Sequence, residues 1–221
     1  MLTKAVIFDL FETLITEFDN GMRASKRNYN YMELLGLSNE QFKKEWASRQ
    51  HKRMTGEFPH YHSVIEDVMK QCALEYNEEA VDYLYAERVK EKRFPLERIR
   101  PDIVEVLEQI RASGIKLGLI SNCTEEEVHY WRASRLAAFF DEVIFSFEVG
   151  LAKPDERIYR LCSERLGVKP EHTIFVGDGG SSELEGASKA GMRPVHAYWF
   201  NTYIQSEFRK LNDPKDLLTL L

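Results

Sequence analysis

The amino-acid sequence predicts an α/β fold: a doubly wound parallel sheet that carries an inserted all-helical cap domain. Two observations support this fold class. Short apolar runs alternate with helix-like patterns along most of the chain, as expected when each strand of a parallel sheet is followed by a crossover helix. After the first of these runs comes a long stretch that has helical spacing and no strand-like run. We therefore expect a core domain formed by residues 1–16 and 97–221, and a cap domain formed by residues 17–96.

The predicted strands are short and almost continuously apolar, which is typical of strands that are buried on both faces of a parallel sheet. Each predicted strand ends at small or polar residues. The five strands are Ala5–Phe8, Leu117–Ile120, Glu142–Ser146, Thr173–Val176 and Pro194–Ala197. The helical patterns between them are Ile103–Ala112, Glu125–Ser134, Glu156–Leu166 and Glu183–Ala190.

The cap stretch is divided by polar breaks into about four predicted helices. The breaks are Gly36-Leu37-Ser38 and Thr55–His60, and Pro95 and Pro101 bracket the return to the core. An insertion directly after the first strand would lie over the carboxyl end of that strand, as a lid.

Charge and composition argue against several classes of function. The net charge of -6 argues against a general nucleic-acid binder, which needs concentrated Lys and Arg. No apolar run approaches the roughly 20 residues that cross a bilayer, and the N-terminus lacks the apolar region of a secretory signal. The three cysteines, Cys72, Cys123 and Cys162, are odd in number and widely spaced, which favours reduced packing thiols. We therefore expect a cytoplasmic protein without nucleic-acid or membrane partners.

Polar side chains follow four of the predicted strands. The carboxyl ends of parallel strands meet at one edge of the sheet, where open α/β sheets bind ligands. Taken singly, each cluster has an ordinary explanation, such as a helix cap, a solvated loop or a flexible turn. Their shared placement and their order favour an active site. The clusters are Asp9 with Thr13, Ser121 with Asn122, Lys153, and Asp178 with Glu183.

Four motifs contain these clusters: FDLFETL, LISN, GLAKPDERIY and VGDGGSSELEGASKAGM. With them the chain resembles the haloacid dehalogenase superfamily of aspartate-nucleophile hydrolases, over nearly its whole length. The resemblance implies the Rossmann-like core of that superfamily and the helical cap of its first cap class. The last motif, with Gly186-Ala187 and Ala190-Gly191-Met192, is highly specific to the family.

The resemblance also implies a role for each cluster. Asp9 would attack the substrate and form a covalent adduct, which splits one difficult displacement into two steps. Thr13 and Ser121 would bind the oxygens of the transferred group, and Asn122 would orient the substrate. Lys153 would neutralise the nucleophile and the substrate charge.

A magnesium ion is implied in the same way. Its hard oxygen ligands would be the carboxylates of Asp9, Asp178 and Glu183 and the backbone carbonyl of Phe11. The cation would offset the repulsion between an attacking carboxylate and a phosphate ester.

Phe11 departs from the pattern of the phosphatases in this superfamily, which carry a second Asp at this position as general acid and base. An aromatic ring cannot transfer a proton, and such help is worth about 10²–10⁴-fold in rate. The halide-removing branch also has an aromatic residue here, and halide leaves without a proton. Phe11 therefore favours a metal-independent 2-haloacid dehalogenase as an alternative.

The fourth motif favours the phosphatase. The dehalogenase branch has an uncharged Ser/Asn-type sequence at the positions of Gly177-Asp178, whereas Asp178 and Glu183 here are acidic. Keeping three carboxylates close together is costly unless a cation lies among them. No cap arginine stands in a motif that would mark a halide site; the candidates are Arg23, Arg27, Arg49 and Arg53.

Three further features of the sequence each allow two interpretations. Glu12, where the family usually has Gly, either replaces the missing acid or faces the cap or solvent. The aromatic and basic side chains of the cap either hold a second anionic or ring-bearing group or pack the cap's own core; they are Tyr29, Tyr31, Trp46, Arg49, Arg53, Phe58, His60, Tyr61 and His62. The histidines His51, His60 and His62 are weak candidates for metal binding. The cluster Tyr198-Trp199-Phe200 is either packing or a partner surface.

The sequence thus predicts a Mg²⁺-dependent phosphatase that acts on a small phosphate monoester through an aspartyl-phosphate intermediate. The alternatives are the metal-independent dehalogenase and a catalytically weak relative that binds a phosphorylated metabolite or a protein partner. Phosphoryl transfer to an acceptor other than water and phosphonate cleavage complete the set. The substrate is not identified by the sequence, and the chain is expected to be a monomer or a homodimer.

Overall fold

The computed structural model describes residues 2–19, 21–25 and 28–221. Within these residues eight strands occur in chain order: β1 (Ala5–Phe8), β2 (Phe18–Asp19), β3 (Met22–Arg23), β4 (Lys116–Ser121), β5 (Glu142–Phe145), β6 (Thr173–Gly177), β7 (Arg193–Ala197) and β8 (Lys210–Leu211). Six of them form one parallel sheet in the order β5-β4-β1-β6-β7-β8. This confirms the parallel sheet and its five predicted strands. The two-residue strand β8 was not predicted.

Strand β1 lies in the middle of this sheet, between β4 and β6. All four of its residues are buried, and Phe8 is opposite Leu119 on one side and Val176 on the other. The backbone N–H of Asp9 donates to the carbonyl of Val176 at 2.9 Å, which continues the pairing one residue beyond the strand. Asp9 is therefore held at the carboxyl edge of the sheet by the neighbouring strand β6.

Side chains alternate along β1 between two apolar cores, one on each face of the sheet. Val6 and Phe8 belong to the core on one face, and Ala5 and Ile7 to the core on the other. Two separate cores are what a doubly wound sheet requires. The helices of this part of the chain are α6 (Pro101–Ala112), α7 (Glu125–Val128), α8 (Ser146–Val149), α9 (Glu156–Leu166) and α10 (Glu183–Lys189).

The predicted helix Glu125–Ser134 was too long. Helix α7 ends at Val128, and two 3-10 turns, Trp131–Ala133 and Arg135–Phe139, follow it. Trp131 is buried and packs its ring against Phe140 and Phe145. Burying this ring takes precedence over continuing a regular helix.

Between β3 and α6 the described residues form five helices, where about four were predicted. They are α1 (Tyr31–Leu35), α2 (Asn39–Ser48), α3 (Gln50–Met54), α4 (Tyr61–Gln71) and α5 (Glu78–Glu97). A third apolar cluster, which includes Phe42, Ile65 and Leu84, fills the space between them. We propose that these helices form a cap domain with the boundaries given above.

The expectation of an all-helical insertion was wrong in one detail. The two-residue strands β2 and β3 pair as an antiparallel hairpin ahead of the helices. Phe18 and Met22 in this hairpin are exposed, so it contributes no buried apolar run that the sequence pattern would reveal. In the described residues, no helix is both long enough and apolar enough to span a bilayer.

Candidate active site

The segment after β1 turns sharply and places Thr13 back beside Asp9. The amides of Leu14 and Ile15 both bond the carbonyl of Leu10, which closes the turn. The Thr13 hydroxyl donates to Asp9 Oδ2 at 3.3 Å, and both residues are buried. One carboxylate oxygen of Asp9 is thus turned toward a hydroxyl from its own loop.

The other oxygen of Asp9 faces Lys153. The ammonium Nζ lies 2.5 Å from Asp9 Oδ1 and 2.5 Å from Glu183 Oε2, with all three groups buried. Burial alone would lower the pKa of Lys153, but Asp9 and Glu183 outweigh it and raise that pKa. Lys153 therefore stays protonated and holds two carboxylates from different strand ends together.

The Asn122 side chain fixes the backbone of Lys153. Its Nδ2 donates to the Lys153 carbonyl and its Oδ1 accepts from the Lys153 N–H, each at 2.8 Å. Asn122 comes from the end of β4 and Lys153 from the loop after α8. This pair of bonds ties the two loops together and gives Asn122 a role in positioning the ammonium.

The loop after β6 carries the two remaining acids. Gly180 N–H donates to Asp178 Oδ1 at 2.8 Å, and Gly179 N–H donates to Glu183 Oε1 at 3.2 Å. Glycine is required at Gly177, because a Cβ there would lie 2.2 Å from Glu183 Oε1. The bare backbone of this loop thus lets Glu183 fold back over the end of β6.

Asp9, Asp178 and Glu183 form a buried carboxylate cluster, with one oxygen from each residue within 4.8 Å of the others. Burial raises the pKa of Glu183 well above its ordinary value, and the nearby carboxylates of Asp9 and Asp178 raise it further. The pKa of Asp9 is also raised, first by burial and then by Asp178, although Lys153 opposes the shift. If all three carboxylates were ionised, the single ammonium would leave two negative charges uncompensated.

This donor set fits a divalent cation. Mg²⁺ prefers oxygen ligands and is bound in proteins mainly by carboxylates. A cation here would offset the two remaining charges, which are costly to bury alone. The Asp9 and Asp178 carboxylates, with Glu183 beside them, are the residues that would hold it.

Ser121 ends β4 at the same edge of the sheet, next to β1. Its side chain is fully buried, and within residues 2–19, 21–25 and 28–221 its hydroxyl has no hydrogen-bond partner. An unpaired buried hydroxyl costs about 1–3 kcal/mol. A substrate oxygen bound at this edge would supply the missing partner.

Phe11 contacts helix α5, and Glu12 bonds the segment that leads from the core to the cap. The Lys92 ammonium lies 4.6 Å from the centre of the Phe11 ring. The Glu12 carboxylate accepts from the Thr16 hydroxyl at 2.6 Å and from the Glu17 N–H at 2.9 Å. Burial raises the pKa of Glu12, against these hydrogen bonds. Both of its oxygens are therefore occupied away from Lys153.

Charged side chains fill the contact between helix α5 and helix α7, and we call this set the interface charge cluster. Glu127 accepts from Arg88 at 2.6 Å and lies 2.9 Å from Lys92, which also pairs with Glu17 at 2.8 Å. Burial would raise the pKa of Glu127, but Lys92 and Arg88 prevail and lower it to about 2. The cluster consists of Glu17, Arg88, Lys92, Glu126 and Glu127.

Of two further residues near the site, Asn201 was missed in the sequence and Trp199 was named only as packing or a partner surface. Asn201 is buried and donates from Nδ2 to Asp178 Oδ2 at 2.7 Å, and Trp199 donates from its indole to the Thr13 carbonyl at 2.8 Å. Both follow β7, whose carboxyl end lies on the same edge as the other clusters. The rule that selected polar residues after four strands would have found Asn201 after the fifth.

Most of the cap aromatics pack against one another, which supports the packing interpretation for them. Tyr31 stacks on Phe42 at 3.8 Å between ring centres, Phe42 on Trp46 at 5.7 Å, and Trp46 lies 5.3 Å from Tyr61. His60 caps helix α4. His62 lies 2.8 Å from Asp82. The buried acidic cluster found among the described residues includes neither His60 nor His62.

The candidate cap arginines differ in their partners. Arg23 pairs with Glu17 at 2.9 Å, and Arg49 pairs with Glu45 and Asp67 at 2.7 Å each. Arg53 instead lies over the ring of Trp46, 3.9 Å from its centre. Arg27 lies outside the described residues.

Comparison with known proteins gives a consistent family. Residues 3–191 match the family model described as haloacid dehalogenase-like hydrolase. A glyceraldehyde 3-phosphate phosphatase from Methanopyrus kandleri is 29% identical over 197 residues, which cover 88% of this chain and 83% of the relative. An (S)-2-haloacid dehalogenase 4A from Burkholderia cepacia is 33% identical over 96 residues, 43% of this chain and 41% of the relative.

Solved structures share the fold. A 2-haloacid dehalogenase from Pseudomonas syringae pv. Tomato superposes with a TM-score of 0.65 at 19% identity. The match covers 99% of this chain and 98% of that one. At this level of identity the likeness shows the architecture alone.

Proposed function

The chain belongs to the haloacid dehalogenase-like hydrolase family, and from that premise we propose that it is a Mg²⁺-dependent phosphatase of small phosphate monoesters. The observation that carries this proposal is the buried carboxylate cluster of Asp9, Asp178 and Glu183. Such a cluster repels itself and repels a phosphate unless a cation joins it. A magnesium ion would supply that charge and bring ester and carboxylate together.

In the first step, Asp9 would attack the phosphorus of the ester. A bond forms between a carboxylate oxygen of Asp9 and phosphorus, and the bond from phosphorus to the ester oxygen breaks. Lys153 is already in contact with Asp9 Oδ1, so its positive charge would stabilise the anion as it approaches. The unpaired hydroxyl of Ser121, together with Thr13, would bind the oxygens of the phosphoryl group.

In the second step, water would hydrolyse the aspartyl-phosphate, releasing phosphate and restoring Asp9. The departing alcohol needs a proton in the first step, and the ring of Phe11 cannot provide one. Glu12 is the nearest acid in sequence, and burial raises its pKa. Its two hydrogen bonds to Thr16 and Glu17 oppose a role as the proton donor.

Phosphatase activity is also supported by the relatives. The chain spans 83% of the Methanopyrus kandleri protein, whose name is that of a phosphatase for a three-carbon phosphate ester. We infer a phosphorylated small molecule as substrate, with its reacting phosphate at the carboxyl edge of the sheet.

A second candidate is dehalogenation of a 2-haloacid without metal. Phe11 favours it, because a halide leaves without a proton and the missing acid would then matter little. The match to the Burkholderia cepacia protein supports it over the 43% of the chain that aligns. The acidic pair Asp178 and Glu183 favours the phosphatase instead.

One assay separates the candidates. Purified protein is offered p-nitrophenyl phosphate and a set of metabolite phosphates, with Mg²⁺ and with chelator, and 2-chloropropionate without metal. We expect phosphate release that needs Mg²⁺ and is lost in Asp9→Asn but retained in the control Glu171→Gln, an exposed surface acid. Chloride release without metal would replace the proposal with the dehalogenase. No turnover, combined with thermal stabilisation by a phosphorylated ligand, would indicate a binding protein.

A further inference from the structure

The loop after β7 carries a buried amide that contacts the carboxylate cluster. Asn201 is 3% exposed, and its Nδ2 donates to Asp178 Oδ2 at 2.7 Å. Its Oδ1 accepts from the Ile204 N–H at 3.4 Å. Because one end of the amide faces a carboxylate and the other end faces a backbone N–H, both neighbours set its orientation. The donor end of Asn201 is therefore directed at Asp178.

Asp178 differs from the other two acids of the cluster in its partners. The Lys153 ammonium lies 2.5 Å from both Asp9 and Glu183. Within the part of the chain that the structure describes, no cationic side chain lies within the 4.0 Å of an ion pair from Asp178. An ionised Asp178 thus has no counter-charge from these residues, and its charge is available to a bound cation.

Two neutral donors hold the Asp178 carboxylate instead. The Gly180 N–H donates to Oδ1 at 2.8 Å and Asn201 donates to Oδ2 at 2.7 Å. A carboxylate offers about four lone-pair sites, and these two bonds use one on each oxygen. The plane of the carboxylate is thereby fixed, and its remaining lone pairs keep their directions. Hydrogen-bond partners of this kind orient carboxylate ligands in metal sites.

The loop that carries Asn201 packs against the site on both sides of this residue. Before it, the Trp199 indole donates to the Thr13 carbonyl at 2.8 Å. After it, Ile204 lies beside the turn that follows Asp178: a Cβ on Gly179 would lie 3.0 Å from Ile204 Cγ2. Because the loop is attached before and after Asn201, the amide has little freedom to turn away from the cluster.

We propose that Asn201 is a positioning residue for cation binding, which holds the Asp178 carboxylate in the orientation that binds a divalent ion. This inference rests on the proposed Mg²⁺-dependent function and adds the loop after β7 to its site. An amide suits the task because it donates a hydrogen bond without adding positive charge. A lysine in its place would repel the cation that Asp178 is to bind.

Calorimetric titration of Mg²⁺ into the metal-free protein tests this role. Asn201→Leu keeps the approximate size of the side chain but cannot donate, and we expect its Kd for Mg²⁺ to be about 10–100-fold higher than that of the wild type. The control Gln205→Met removes an exposed amide of the same loop, which bonds Tyr198 and Lys210 instead, and should leave the Kd unchanged. Equal Kd values for the wild type and Asn201→Leu would overturn the inference.

Urea unfolding separates positioning from a purely structural role. Measured with chelator and again with Mg²⁺, the free energy of unfolding gives the stability of the metal-free protein and the stabilisation by the bound ion. We expect Mg²⁺ to stabilise Asn201→Leu less than the wild type at the same concentration. If the variant loses only metal-free stability and Mg²⁺ stabilises both proteins equally, Asn201 is structural and the inference is wrong. Where Asn201→Leu does not fold, Asn201→Ala removes the same donor without an apolar side chain, and the same results are expected.

Neither measurement needs turnover, so the inference and the proposed function can fail separately. If the wild type binds Mg²⁺ more tightly than Asn201→Leu but hydrolyses no ester, the inference is supported and the phosphatase proposal alone fails. If phosphate release needs Mg²⁺ but both proteins bind the ion equally, the inference alone fails. A wild type that binds no Mg²⁺ overturns both.

Discussion

Glu12 has a left-handed backbone conformation, with φ of 58°. It directly follows Phe11, the position at which the phosphatases and the dehalogenases of the family differ. A residue with a Cβ pays about 1–2 kcal/mol for this conformation, and glycine does not. The Glu12 carboxylate offsets the strain by accepting from Thr16 and Glu17 at the start of the cap linker. This arrangement explains why glycine suits the position and what an acid does there instead.

The first prediction concerns Glu12→Gln. Because both carboxylate oxygens already accept hydrogen bonds from the linker, we expect kcat to fall by less than about threefold, since isosteric Gln keeps one acceptor oxygen. The measurement compares an activated aryl phosphate with an alkyl phosphate, whose leaving group needs a proton. A steep loss on the alkyl ester alone, near the 10²-fold typical of a lost general acid, would identify Glu12 as the proton donor.

Sequence and structure agree on residues that follow strands and disagree on residues that depend on tertiary contacts. Asp9 and Ser121 could be identified as site candidates from the sequence, because each follows an apolar run that marks the end of a strand. Asn201, four residues beyond β7, fits the same rule, but its bond to Asp178 depends on the path of a loop that no local pattern reveals. Arg53 was named among the cap arginines, but its position over the ring of Trp46 appears only in the structure.

Helix α10 supports the site through a close approach that only glycine allows. A Cβ on Gly186 would lie 2.6 Å from the Pro154 carbonyl and 2.7 Å from the Tyr159 hydroxyl. Pro154 follows Lys153, and the Tyr159 hydroxyl donates to the Glu183 carbonyl at 2.8 Å. The packing of α10 therefore sets the distance between Lys153 and Glu183.

The second prediction is that Gly186→Ala separates these elements. We expect a loss of about 1–3 kcal/mol in the free energy of unfolding, as in other overpacked cores. The proposed phosphatase activity should fall further than this loss explains, because Lys153 moves relative to Glu183. Urea unfolding and kcat are measured together. The control is Ser188→Ala on the exposed side of α10, where a change of no more than about 0.5 kcal/mol is expected. An unchanged Gly186→Ala enzyme would show that α10 does not set the site.

Element prediction succeeded where burial is uniform along a segment. The run at β1 is buried at all four positions, and its apolar residues made it visible. The segment after α7 failed because Trp131 is buried by two 3-10 turns rather than by a helical face. The hairpin of β2 and β3 was not predicted, because Phe18 and Met22 are exposed and leave no buried apolar pattern in the sequence.

At the scale of the whole molecule, the interface charge cluster fixes helix α5 to helix α7. Glu127 is its central acid, with Arg88 and Lys92 both in contact. Removing one partner of a buried ion pair leaves the others uncompensated. The attachment of the cap helices to the core thus depends on charges as well as on apolar packing.

The third prediction is that Glu127→Gln costs about 3–5 kcal/mol in unfolding free energy at pH 7. The folded-state pKa of Glu127 is lowered from 4.5 to about 2. Its contribution is therefore complete above pH 4.5 and is lost as the pH falls toward 2. Urea unfolding of wild type and variant at pH 7, 4.5 and 3 should give a difference that shrinks with acid. Glu125→Gln, a half-buried neighbour on α7, serves as the control, and a difference independent of pH would contradict the role of ionised Glu127.

The central place of β1 has a consequence for how the protein is made. The strand that precedes Asp9 is translated first, yet its neighbours begin only at Lys116 and Thr173. At about 5–20 residues per second, the ribosome needs on the order of 5 to 20 seconds to supply the first of them. Until then the four apolar residues of β1 have no strand to pair with on either side. They are therefore exposed to chaperones and to incorrect strand pairing. A gene divided between cap and core would accordingly yield a first fragment that carries Asp9 but has no sheet to hold it in place.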